Sequence, residues 1–139
     1  MVKKMGNIFG YVNALTRWIA IRADAAGRLL VGTQSEPIVV GAIFNTVVAL
    51  NTDFFAADLV PTNTPTTFRI SVSLDAAGVL NVMRTEGGVT ITEHLNENNA
   101  LVADCLYEFN VTVAAGQTIN VQHSVGGTIL SCTVVEIYG

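Results

Sequence analysis

Two histidines, two cysteines and eleven acidic side chains are the groups in this 139-residue chain with acid–base, nucleophilic or metal chemistry to offer. Their spacing gives them little to work with. His94 and His123 both fall in strand-like runs, and neither belongs to a His-x-His, His-Glu-x-x-His or mixed His/Cys set. Glu93 precedes His94, but neighbours on a strand point to opposite faces. His123 and Ser124 are neighbours in the same sense, and no Gly-x-Ser-x-Gly elbow is present. Asp104 and Glu108 share a strand parity but lie two steps apart, too far for a carboxylate dyad. Cys105 and Cys132, 27 positions apart, make neither a zinc spacing nor a Cys-x-x-Cys pair. Both sit in strand-like runs, where a free cysteine acts as a small hydrophobe. Asp53, Asp58 and Asn63 bring hard oxygen atoms to one loop without matching a calcium-loop pattern. Trp18, with Arg17 and Arg22 nearby, reads as a packing anchor, with sugar stacking as the alternative. The expectation is a protein that is not an enzyme and uses no cofactor and no metal.

The elements that would hold these residues are strands. Valine is the commonest residue and threonine is abundant, and both favour pleated surfaces. Phe68, Ile70, Val72 and Leu74 alternate with Thr67, Arg69, Ser71 and Ser73. Tyr107, Phe109, Val111 and Val113 alternate with Glu108, Asn110 and Thr112. Period two marks a half-buried strand with one face in a core. Other runs are apolar on both faces: 37–44, 46–50 and 128–137. Such strands must be covered on both sides. A short helical turn is predicted around 53–59. Turn signals at Asp75–Gly78, Glu86–Gly88, Ala114–Gln117 and Gly126–Gly127 read as hairpin tips, with Gly78 supplying a positive φ. A long connection runs from Asn51 to Thr67, and a polar loop spans Asn96–Asn99. Asp24-Ala-Ala-Gly27 echoes Asp75-Ala-Ala-Gly78 and predicts a second small hairpin upstream. The fold class expected is all-β: a two-sheet antiparallel jelly-roll sandwich.

Composition sharpens the question of cover. The chain is 50% hydrophobic and 13% charged, about half the usual charge of a soluble domain, with mean hydropathy +0.49. That excludes disorder. A membrane-spanning helix needs about 20 consecutive apolar residues, and the longest candidate, 37–50, is interrupted by Asn45 and Thr46. Met1-Val-Lys-Lys4 resembles the start of a signal segment, but no clean apolar block follows. Residues 1–34 hold five basic side chains against one acid, while 85–139 hold six acids and no Lys or Arg. With pI about 4.9 and no dense basic cluster, no nucleic-acid partner is expected. Another subunit is the simplest cover for two-faced apolar strands.

Several stretches resemble small tailed-phage virion proteins: Thr64–Leu80 (TPTTFRISVSLDAAGVL), Leu101–Gln122 (LVADCLYEFNVTVAAGQTINVQ), the terminal Val134–Ile137 (VVEI) and the upstream Trp18–Val31 (WIAIRADAAGRLLV). The group includes capsid decoration (cement) proteins and head-fibre knobs. Tyr107-x-Phe109-x-Val111, a Gly turn and Ile119-x-Val121 are similar to the C-terminal half of C1q/TNF-like trimeric jelly rolls. The resemblance implies a jelly-roll homotrimer on the virion capsid surface. Its partners would be itself and the major capsid protein or neighbouring virion subunits, with no membrane. Residues 1–32 are expected to form an arm and hairpin, and 33–139 the sandwich. Lys3, Lys4, Arg17, Trp18, Ile19, Ile21, Leu29 and Leu30 would make capsid or inter-subunit contacts. Ile38, Val40, Phe44, Tyr107, Phe109, Val134 and Ile137 would form the trimer interface or the core. Two other classes stay open: a pilus-like or extracellular fibre subunit assembled by strand addition, and a carbohydrate-binding module.

Overall fold

The computed structural model describes residues 20–23, 29–32, 37–62 and 64–137. The chain divides into two compact units, residues 1–35 and 36–139. In the first, β1 (Ala20–Ala23) pairs antiparallel with β2 (Leu29–Gly32), bringing Ile21 opposite Val31 and Arg22 opposite Leu30. This is the expected upstream hairpin.

The second unit is an antiparallel β-sandwich. Its strands are β3 (Ile38–Val48), β4 (Thr66–Leu74), β5 (Leu80–Glu86), β6 (Val89–His94), β7 (Leu106–Val113), β8 (Thr118–His123) and β9 (Gly127–Ile137). One sheet runs β3-β9-β4-β7 and the other β6-β5-β8. The alternation that predicts β4 is realised in full: Phe68, Ile70, Val72 and Leu74 are buried, while Arg69 faces water. Leu80 and Val82 of β5, Val111 and Val113 of β7, Ile119 and Val121 of β8, and Ile129, Cys132 and Val134 of β9 complete the core. Each such side chain contributes about 1.5–3 kcal/mol on full burial.

The segment 51–59 is not the helical turn expected from its sequence. It runs antiparallel beside β8 as an irregular fourth strand of the smaller sheet. The Asn51, Phe54 and Leu59 amides donate to the carbonyls of His123, Val121 and Ile119, and the Ile119 amide returns a bond to Leu59. Nine residues of the segment pass only five of β8, Ile119 to His123, so residues 55–58 loop out. Asn120 bridges that loop: its Nδ2 donates to the Phe55 carbonyl and to Asp58, and its Oδ1 accepts from the Phe55 amide. Phe54 and Leu59 plug the core on either side. Tertiary hydrogen bonds have overridden a helix-like composition.

With this segment counted, eight extended pieces pair in nested order. β3 pairs with β9, 51–59 with β8, β4 with β7, and β5 with β6. That is a long antiparallel ribbon wound around itself, the jelly roll. Winding explains a correction. Of the four downstream turns read as hairpin tips, only Glu86–Gly88 joins paired strands, with Gly87 and Gly88 at φ 58° and 80°. Asp75–Gly78, Ala114–Gln117 and Gly126–Gly127 each carry the chain from one sheet to the other. Gly78 has no positive φ, contrary to the reading of its turn. Its lack of a side chain matters because a Cβ there would collide with Nε2 of His123.

Candidate assembly surface

The outward face of the larger sheet follows from register. Ser73 of β4 stands beside Ser131 of β9, which stands beside Phe44 of β3. The next rows are Ser71, Thr133 and Ala42, then Arg69, Val135 and Val39. On the far side, β7 sets Leu106, Glu108 and Asn110 beside Ser73, Ser71 and Arg69. The face is therefore divided. Towards β7 it is mostly polar, with Ser71 donating to Glu108. Towards β3 it is apolar and carries no charge. Val39, Phe44 and Val47 are 58%, 79% and 78% exposed, and the chain beyond the strand adds exposed Leu50.

Three irregularities decide which residues reach this face. The β3–β9 register shifts between Val39 and Gly41, a bulge at Val40. Uninterrupted alternation would put Ile38, Val40 and Phe44 together. The bulge instead aligns Ile38 with buried Glu136 and puts Val39 in the outer row with Phe44. Asn45 then adopts φ 48°, a left-handed conformation that asparagine tolerates better than most residues. In β9 the register with β4 shifts beside Leu74, so Ile129 turns inward against Leu74 while Ser131 stays outside.

The other expected contact residues are placed as follows. Val40 is half-buried and packs on the core, as do Tyr107 and Phe109, whose rings stack at 6.2 Å. Val134 is fully buried, and Ile137 is half-buried beside Thr67. Ile21, Leu29 and Leu30 lie in the β1–β2 hairpin. Lys3, Lys4, Arg17, Trp18 and Ile19 lie outside the described residues. Val39, Val47 and Leu50 were missed by sequence reasoning, because the bulge that gathers Val39 with Phe44 has no signature in a period-two pattern.

The residues with chemistry to offer are dispersed. His94 lies on the outside of the smaller sheet, with Nδ1 2.6 Å from Asn81 Oδ1. His123 lies inside, buried beside Leu80. Ser124 Oγ accepts from the Val79 amide. Asp104 precedes β7, whereas Glu108 lies on its outer face. Asp53 accepts from Gln122, and Asp58 from Asn120 and Thr118; Asn63 lies outside the described residues. Both described cysteines are free. Arg84 projects from the core-facing side of β5, pairs with Glu93 at 2.7 Å, and donates to the Thr112 carbonyl of β7 and to Gln117. It ties the two sheets together at the β6–β7 side. Glu136, fully buried, accepts from the Thr62 amide at 2.9 and 3.0 Å and from its hydroxyl. These groups are joined to the framework of the fold.

No protein-family model matches the chain, and no curated protein matches it. Among solved structures, a chain of the T13 IBDV viral particle is similar to this one, at 15% sequence identity and a TM-score of 0.40. The match covers 86% of this chain and 35% of that one, so the chain spans about a third of that neighbour's length.

Proposed function

We propose that this chain is a structural virion protein, a jelly-roll subunit that decorates or stabilises a capsid through protein–protein contact. The reading has it assemble with itself as a homotrimer and meet the major capsid protein, or neighbouring virion subunits, at the capsid surface. The observation that carries it is the divided outer face of the β3-β9-β4-β7 sheet. A charge-free apolar half on a protein with few charges overall is a surface for protein contact. The resemblance of its strand–turn–strand stretches to tailed-phage decoration proteins gives that contact a setting. The arm, residues 1–32, would supply the capsid contact, with Trp18 and Ile19 as anchors and Lys3, Lys4 and Arg17 against acidic shell surface.

A fibre assembled by strand addition would need a straight free edge. β3 is a long edge strand, but the Val40 bulge and left-handed Asn45 interrupt it, and such breaks hinder pairing with another chain. The test is peptide mass spectrometry of purified virus particles from the source of this sequence. The chain is expected in the particles in many copies, at a fixed ratio to the major capsid protein. Its absence from them would overturn the proposal.

A further inference from the structure

We infer that a second copy of this chain packs on the outer apolar half of the larger sheet, with Phe44 and Val47 of β3 at the centre of the contact. This gives the self-association in the proposed function a face, and it rests on that part of the proposal alone.

At their observed exposures, Val39, Phe44, Val47 and Leu50 leave on the order of 500 Å² of apolar surface in water, at the upper end of what a monomer shows. A standard interface buries about 800 Å² per partner, and about three-fifths of it is apolar. One copy therefore already offers the apolar share of one side of a stable contact.

β3 and the outer row of β9 carry no charge. The nearest charges on the same face are Arg69 and Glu108, one of each sign, both exposed, on β4 and β7. Arg69 has no ion-pair partner among the described residues. A partner that was strongly acidic or strongly basic would meet a like charge on this rim. Another copy brings both signs and can match each with its opposite.

The breaks at Val40 and Asn45 interrupt the backbone edge but leave Val39, Phe44 and Val47 projecting outward. Contact through the face is therefore available where pairing along the edge is not.

The experiment is light scattering on the full-length protein after size exclusion, with Phe44→Asp, the milder Phe44→Ser, and Thr90→Asp on the other sheet as control. Both positions are exposed, and circular dichroism checks that the fold is kept. The expected result is a wild type and a Thr90→Asp variant of multimeric mass. Phe44→Asp should be monomeric, and Phe44→Ser should associate at least tenfold more weakly. Trp18, the single tryptophan, falls within residues 1–32, expected to form the arm, and reports the rival occupant. A monomeric wild type whose tryptophan emission shifts to the red in Phe44→Asp would mean that the chain's own arm lies on the face, and would overturn the inference. A monomeric wild type with unchanged emission would assign the face to a different protein, and would also overturn it. A multimer that survives Phe44→Asp, or that Thr90→Asp dissociates equally, would place the contact elsewhere. None of these outcomes bears on whether the chain is found in particles, which the mass spectrometry decides separately.

Discussion

His123 is the described side chain whose burial leaves a polar atom, Nε2, without a hydrogen-bond partner. Gly78 has no side chain to keep it out, so the imidazole packs directly on the backbone of the β4–β5 crossing. Burial lowers its pKa below the ordinary 6.5, against opposing contributions from the Val125 and Gly78 backbone and the Asp75 carboxylate. The folded state therefore prefers the neutral ring, and the unfolded chain takes up the proton first. The resulting stability is present above about pH 6.5 and is lost as pH falls from there through the folded pKa. A proton NMR titration should place the His123 midpoint below 6.5, and acidification across this window should lower the urea midpoint. A His123 midpoint above 6.5 would refute the assignment. Cys132 shows the same physics in a thiol. Buried in β9, it is pushed up to about 12 by desolvation. A thiol reagent at neutral pH should modify exposed Cys105 readily and reach Cys132 only after unfolding.

Among the elements, the segment 51–59 departs furthest from its local sequence. It has neither the alternation of β4 nor a helix, and it is held to β8 by backbone bonds at its ends and by Asn120 in its middle. Asn120 is almost wholly buried, so truncating it leaves the Phe55 amide and carbonyl without their partner. Asn120→Ala should destabilise the protein by about 1–3 kcal/mol. Hydrogen exchange should show faster exchange at the Phe55 and Leu59 amides, while the central amides of β4 stay protected. Uniform loss of protection across both sheets would mean that the segment does not open separately. β3 teaches a related lesson. Its apolar residues are all visible in sequence, yet one bulge decides that Val39, and not Ile38, shares a face with Phe44.

For the whole molecule, low charge and an apolar outer half-sheet point to assembly driven by burial of apolar surface. Screening weakens exposed ion pairs and leaves apolar burial in place. The proposed multimer is therefore expected to keep its mass when sodium chloride is raised to about 1 M. Dissociation by salt, read by light scattering, would instead assign the contact to the basic arm and acidic surfaces. Glu93, whose 2.7 Å ion pair with Arg84 lies within the monomer, is outside this balance.

The sequence by itself determined β4 and β7 and their buried faces, because alternation such as Phe68 to Leu74 is a local property of a pleated chain with water on one side. It also determined that 37–50 and 128–137 carry more apolar surface than one sandwich face can hide. Tertiary structure alone decided which turns close hairpins and which cross between sheets, since one glycine turn serves either purpose until its strands find partners. It also decided that 51–59 lies beside β8, where Asn120 supplies what local sequence lacks. And it decided which side of β3 faces water, because a one-residue bulge inverts every side chain beyond it.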